Sequence, residues 1–154
     1  MTIQNFKEIR RDGKVIDESM TLEYMLGLGW TPNIISKVQW DNNSQPVELS
    51  SKYGVKAKVT PTRDAIVALE SLDEKSMNTC LSIINADGTL RCKIPNTQLI
   101  RGRNESGRFV WFEPARSNLK NCFGAVFTVD PDNLLFQIDI DENNGGVVGT
   151  YPIR

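Results

Sequence analysis

The sequence contains no histidine, and this absence excludes several classes of enzyme. Without an imidazole there can be no Ser-His-Asp or Cys-His nucleophile, no histidine-dependent nuclease site and no zinc deaminase signature. Catalysis would have to depend on carboxylates, lysine, tyrosine, serine or cysteine. The carboxylates lie in predicted turns or on polar strand faces, whereas a paired-carboxylate enzyme needs one acid in an apolar pocket. We therefore expect a protein that is not an enzyme.

Cysteine is also scarce, with only Cys80, Cys92 and Cys122 in the chain. Their number is odd and they form no CxxC pair, so neither a disulfide framework nor a zinc site is expected. The stretch DIDENNGG resembles the start of a calcium loop. However, Asn144 stands where an EF-hand needs glycine, and Thr150 stands where it needs glutamate. The sequence predicts free thiols, no metal and no cofactor.

Long apolar runs are missing as well. No stretch approaches the ~18 apolar residues of a membrane span, and the opening MTIQNFKEIRRDGK has no apolar core of the kind found in signal peptides. We therefore expect a cytoplasmic protein. A net charge of −1 argues against a generic nucleic-acid binder. With 154 residues, of which 40% are hydrophobic, the chain is predicted to form a single β-rich domain over residues 1–154.

The strongest pattern present is the stretch CFGAVFTVDPDNLLFQIDID, from Cys122 to Asp141. Two runs of alternating residues flank the turn sequence DPDN, in which Pro131 sets the backbone for a type I turn. Successive side chains of a strand point to opposite faces, so each run has one apolar face. The sequence therefore predicts an antiparallel hairpin whose core face carries Phe123, Ala125, Phe127, Val129, Leu134, Phe136, Ile138 and Ile140.

The rest of the chain predicts further strands and one helix. The segment SMTLEYMLGLG fits a helix with Ser19 as its cap and with Leu22, Met25 and Leu26 facing the core. Alternation predicts a strand over residues 55–59, a second hairpin over residues 79–94 and a central strand at RFVWFE. Residues 65–72 fit either a helix or a buried strand, and the strand-like sequence after them favours the strand. The fold class is α+β, a mainly antiparallel β sheet with about one N-terminal helix.

Acidic residues are concentrated near the predicted hairpin, where residues 130–142 contain five acids and no base. We expect the strand to present two of these acids outward and the turns to present the others. A rigid hairpin with carboxylates and no local counter-charge favours docking of a basic protein partner. The candidate binding residues are Asp130, Asp132, Asp139, Asp141 and Glu142. A second interpretation stays open, in which these are solvated faces that neutralise basic residues on adjacent strands.

A basic band runs from Arg91 to Lys120, with seven basic residues against two acidic ones. Arginines beside stacking aromatics are typical of proteins that bind single-stranded nucleic acid. The alternative function is therefore a single-stranded nucleic-acid-binding module. Against it, the alternation within RFVWFE indicates that these aromatics are mostly core, and no RNP, KH or zinc-knuckle motif is present. The candidate residues of this alternative face are Arg101, Arg103, Arg108, Trp111 and Arg116.

The segment from residue 65 to residue 154 resembles small immunity proteins of bacterial toxin–immunity systems of the contact-dependent inhibition type. The resemblance lies in the strand and turn rhythm of INADGTLRCKIP, RFVWFE and FGAVFTVDPDNLLFQIDIDENNGGVVGTYPIR, without an invariant motif, so no site residue can be transferred. It implies a cytosolic, non-catalytic inhibitor that binds one cognate toxin, often a nuclease. Combined with the acidic hairpin, it leads us to expect an inhibitor that covers the basic active-site surface of a toxin.

Overall fold

The computed structural model describes residues 2–153, which form strands and one short helix. The helix α1 is Leu22–Gly27. The strands are β1 Gln4–Arg10, β2 Val15–Asp17, β3 Ile35–Asn42, β4 Gln45–Ser50, β5 Val55–Val59, β6 Ala65–Ser71, β7 Thr79–Asn85, β8 Leu90–Ile94, β9 Thr97–Ile100, β10 Arg103–Glu113, β11 Cys122–Val129, β12 Leu135–Asp141 and β13 Val147–Pro152.

These strands make three antiparallel sheets. The first has the order β2-β1-β3-β4, the second β5-β6-β7-β8 and the third β13-β12-β11-β10-β9. Pairing is between neighbours in sequence except for β1 with β3, since the short β2 turns back along the outer edge of β1. The predicted fold class, a mainly antiparallel sheet structure with one helix near the N-terminus, is confirmed.

The second sheet lies between two hydrophobic clusters and is buried on both faces. In β6, Ala65, Val67 and Leu69 join a cluster with residues of the third sheet. The intervening Ile66 and Ala68 join a cluster with Val38, Trp40 and other residues of the first sheet. A strand with both faces buried needs apolar residues at every position, which is why AIVAL shows no alternation. Residues 65–72 are thus mostly strand, as favoured by the sequence.

The predicted hairpin at the centre of the third sheet is present. Strands β11 and β12 pair in register from Cys122 opposite Asp141 to Thr128 opposite Leu135. Seven of the eight predicted core residues lie in the cluster that joins the second and third sheets. The exception is Leu134, which is 44% exposed because it lies in the turn before β12 begins. The rings of Phe109 and Phe127 meet edge to face, 5.0 Å apart, and connect the hairpin to β10.

Strand β10 is central, as predicted, but a bulge changes the face of its aromatic residues. Phe109 lies opposite Phe127, whereas Trp111 lies opposite Val126, so Val110 is an extra residue in the ladder. The bulge brings Phe112 to the same face as Phe109, where it packs against the core cluster. Trp111 is left partly exposed.

The predicted core stripe of helix α1 is wrong. The helix has no buried residue, and Leu22 and Leu26 are 70% and 60% exposed. The inner face of the first sheet is already covered by the second sheet, so the helix has no core position to fill. The cap is also different: the Thr21 hydroxyl accepts from the Tyr24 backbone N–H at 3.1 Å, while Ser19 binds Asp17.

The three cysteines are free thiols, as predicted. Burial raises the pKa of Cys122, and three nearby carboxylates raise it further. Burial also raises the pKa of Cys92. Within residues 2–153, no group of three or more His, Cys, Asp or Glu residues is arranged to hold a metal ion, and no helix is long and apolar enough to cross a membrane.

Candidate partner-binding surfaces

Asp139 does not lie on an outward face, and that prediction is wrong. The residue is 0% exposed, in the middle of β12. One carboxylate oxygen accepts from the Ser117 backbone N–H at 2.6 Å, and the other accepts from the Gln137 side-chain amide at 3.0 Å. Asp139 therefore connects β12 to the segment before β11 and cannot contact a partner in this conformation.

The segment of residues 114–121 covers the second face of the hairpin and explains the burial. The Gln137 amide also donates to the Pro114 carbonyl at 2.8 Å. Its nitrogen therefore binds both the covering segment and the Asp139 carboxylate. Gly124 makes this close approach possible. A Cβ atom at this position would lie 2.5 Å from the Glu113 carbonyl oxygen and 3.2 Å from the Pro114 carbonyl oxygen.

Replacement of Gly124 with alanine is expected to destabilise the fold by about 1–3 kcal/mol, because backbone atoms must shift to admit the methyl group. Chemical denaturation measures the change. Gly27→Ala is the matched control, since a Cβ there meets nothing within 4 Å and alanine favours a helix. Equal stability of the two variants would show that the covering segment does not depend on Gly124.

Glu142 is also 0% exposed, so its predicted placement on an accessible turn is wrong. Its carboxylate accepts hydrogen bonds from the hydroxyl and the backbone N–H of Thr62, in the loop between β5 and β6. Its backbone carbonyl accepts from the Arg91 guanidinium at 2.9 Å. Glu142 thereby ties the end of β12 to the second sheet.

The other three acids are accessible but do not form one array. Asp130 and Asp132 are exposed in the turn at one end of the hairpin, and Asp141 is half-buried at the other end. The two ends are roughly 20 Å apart, the length of β12 at ~3.4 Å per residue. Asp132 also has a counter-charge, since its carboxylate lies 4.0 Å from the Arg101 guanidinium. Partner binding by Asp130, Asp132 and Asp141 stays a prediction.

The residues of the alternative basic face do not share one surface. Arg101 lies over the Phe136 ring at 5.3 Å, and Arg116 lies over the Tyr151 ring at 5.5 Å. Phe136 belongs to the core cluster, whereas Tyr151 pairs with Gln137 on the opposite face of the sheet. Since Phe109 is fully buried, it cannot stack on a base. Arg103 is exposed on β10, and Arg108 and Trp111 lie elsewhere, in a cavity.

This cavity of about 570 Å³ lies beside the β5 edge of the second sheet. We call it the edge cavity. Strand β10 contributes Arg108, Val110 and Trp111 to its wall, and β5 contributes Lys56. Lys56 donates from its ammonium group to the Val110 carbonyl at 2.9 Å, where the bulge has freed that oxygen from the ladder. The bulge in β10 therefore helps to shape the edge cavity.

Arg108 is the unusual residue of the edge cavity. It is half-buried, and its Nε atom is buried without a hydrogen-bond partner. In the part of the chain that the structure describes, its guanidinium makes no hydrogen bond or ion pair. A buried donor without an acceptor costs free energy, so native proteins rarely keep one. The sequence grouped Arg108 with a nucleic-acid face and gave no sign of this enclosed setting.

The loop of residues 72–78 contributes Glu74, Lys75 and Ser76 to the lining of the edge cavity and is held in shape by Asp73. The Asp73 carboxylate accepts from the backbone N–H groups of Lys75, Met77 and Asn78. These bonds, led by the one from Met77, lower the pKa of Asp73. The loop presents Leu72 and Met77 to solvent, 54% and 57% exposed. One part of the cavity lining is thus a hydrogen-bonded loop that also carries exposed apolar side chains.

These features define an antiparallel β protein whose accessible apolar and charged groups suit binding to another macromolecule. No family model and no curated protein matches the chain. A solved structure does match: a chain of the structure described as Tne2 in complex with Tni2 is 31% identical, with a TM-score of 0.95. The similarity covers 99% of this chain and 100% of that chain. The protein therefore belongs to the same family as that component of the Tne2–Tni2 complex.

Proposed function

We propose that the protein is an immunity-type inhibitor that binds and neutralises one cognate protein toxin. The observation that carries the proposal is the full-length similarity to one component of the two-protein Tne2–Tni2 complex. At 31% identity over 99% of the chain, the whole fold is shared, and not merely a supersecondary motif. The resemblance of residues 65–154 to immunity proteins supports the same class, without restricting it to contact-dependent inhibition.

The distribution of ionisable groups supports binding rather than catalysis. Asp139 and Glu142 are fully buried and hydrogen-bonded within the fold. Asp130 and Asp132 are exposed in the turn between β11 and β12. In contrast, the surface presents large apolar side chains of the kind found in interfaces: Leu22, Tyr24, Leu26 and Leu28 around α1, and Leu72, Met77 and Trp111 around the edge cavity.

The burial of two of the five acids weakens the prediction that the toxin is basic. The sequence predicts a basic, nuclease-type partner from five carboxylates in one array. With Asp139 and Glu142 buried, the remaining acids are split between the two ends of the hairpin. The acidic turn at Asp130 and Asp132 can still contact basic residues at the rim of the interface with a toxin. An exposed ion pair of this kind contributes about 0–1 kcal/mol of binding free energy. Nuclease activity of the toxin and a cytoplasmic location of the inhibitor stay predictions from the sequence.

Co-expression tests the proposal. The proposal predicts that a toxin domain is encoded directly upstream of the gene for this protein, and this domain is the probe. We expect the two chains to co-elute on size-exclusion chromatography, with a Kd well below 1 µM by titration calorimetry. As a specificity control, the component of the Tne2–Tni2 complex that lacks this fold should bind more weakly, because most interface positions differ at 31% identity. Separate elution of the cognate pair at micromolar concentration would contradict an immunity function.

A further inference from the structure

We propose that the edge cavity receives a carboxylate side chain of the toxin and that Arg108 binds it. This inference rests on the proposed function and deepens it by naming a binding site and the chemistry of the group bound. The starting observation is the Arg108 guanidinium, half-buried in the cavity wall and without a hydrogen bond or ion pair within residues 2–153. Such a group has its full donor capacity available for an incoming acceptor.

The charge around the edge cavity favours an anion. Lys56, Lys75 and Arg108 line it, against one acid, Glu74. Lys56 is engaged with the Val110 carbonyl, which leaves Arg108 as the cation with free donors in the enclosed part. A guanidinium binds a carboxylate through two parallel hydrogen bonds, and a partly desolvated pair of this kind is stronger than one in water.

The rim of the edge cavity favours a protein as the source of that carboxylate. Trp111 and Ile34 line the cavity and are 37% and 40% exposed, and Leu72 and Met77 are exposed on the adjoining loop. Tyr53 lines the cavity as well. Arginine, tryptophan and tyrosine are the residues most enriched at interface hot spots, and surrounding apolar contacts exclude water from such pairs. A free anion would leave this apolar rim uncovered.

The unpaired Arg108 guanidinium is expected to lower the stability of the free protein. An unsatisfied buried donor destabilises the uncomplexed fold, and the incoming carboxylate removes that cost on binding. Removal of the Arg108 guanidinium therefore affects folding and binding in opposite directions. Removal of a residue with a purely structural role would weaken both folding and binding.

The test uses Arg108→Met, which retains an unbranched apolar side chain. Its melting temperature is expected to equal or exceed that of the parent protein, while its Kd for the upstream-encoded toxin domain is expected to rise at least about 30-fold. Arg108→Lys should recover only part of the affinity, because an ammonium group lacks the planar fork. Lys120→Met is the control: it removes one exposed positive charge outside the cavity and should leave both values unchanged.

A scan of the toxin identifies the partner group. Each surface Asp and Glu of the toxin domain is changed to the corresponding amide. The toxin variant that lacks the bound carboxylate should bind the parent protein and its Arg108→Met variant with equal affinity.

If the parent binds the toxin tightly and Arg108→Met binds it equally tightly, the cavity inference is wrong while the proposed function stands. If the parent does not bind, both fail. A saturable rise in melting temperature with inorganic phosphate, lost in Arg108→Met, together with unchanged toxin affinity would assign the cavity to a free anion instead.

Discussion

Asp139→Lys is expected to destabilise the protein by about 3–5 kcal/mol, which removes most of the stability of a fold near the lower end of the usual range of about 5–15 kcal/mol. The new ammonium group would be buried beside two hydrogen-bond donors, the Ser117 N–H and the Gln137 amide, which lose the Asp139 carboxylate as an acceptor. The Gln137 amide keeps its bond to the Pro114 carbonyl, whereas the Ser117 N–H loses its acceptor and the new charge is left without a counter-charge. Urea denaturation followed by circular dichroism measures the change.

Asp130→Lys is the matched control for this prediction, because it makes the same charge reversal at an exposed turn position and should change stability by no more than about 0.5 kcal/mol. Equal stability of the two variants would mean that the segment of residues 114–121 does not cover β12 in solution. The comparison also affects binding experiments. If a charge reversal at Asp139 abolishes toxin binding, the cause is loss of the folded structure. A charge reversal at Asp130 leaves the fold intact and therefore tests whether this surface contacts the toxin.

Phe127→Ala is expected to destabilise the protein by about 3–5 kcal/mol, since it removes a fully buried ring from the cluster between the second and third sheets. For a chain of this size the melting temperature should fall by roughly 6–20 °C. The variant also tests whether residues 1–154 unfold as one domain. Trp40 lies in the other cluster, between the first and second sheets, and its fluorescence reports on that part of the molecule.

With Trp30 and Trp111 replaced by phenylalanine in the background, Trp40 becomes the only tryptophan. In a single cooperative domain, Phe127→Ala should shift the Trp40 fluorescence transition as far as the circular dichroism transition. Leu99→Ala, at a position 64% exposed, should shift neither. A fluorescence transition that stays in place while the circular dichroism transition moves would divide the chain into two independently unfolding units.

Period-two alternation predicted the strands well because a strand with one buried face carries an apolar residue at every second position. Both strands of the central hairpin, the strand over residues 55–59 and the strands on either side of Asn85-Ala86-Asp87-Gly88 are confirmed. The two-sided burial of β6 left only an apolar run, which a helix can also show. Its assignment needed the sheets on either side, and these pack against it from distant parts of the chain.

The candidate site was harder to predict because exposure depends on what covers a surface. Asp139 alternates correctly with Ile138 and Ile140, but residues 114–121 cover the face on which it lies. One local signal was present: Gly124, Val126 and Thr128 on that face are small or apolar, unlike a solvated strand face. The unpaired Arg108 left no such signal, since the cavity around it is formed by β10 together with β5 and the loop after β6, which are distant in the sequence.

The growth of host cells that produce the toxin is the most direct measure of the immunity function. Cells express the upstream-encoded toxin domain from an inducible promoter, with this protein, with Lys120→Met or with no inhibitor, and colonies are counted after induction. We predict that the parent and Lys120→Met restore the plating efficiency of cells without toxin, and that cells without inhibitor do not form colonies. Equal killing with and without the parent protein, at confirmed soluble expression of both chains, would contradict the immunity function.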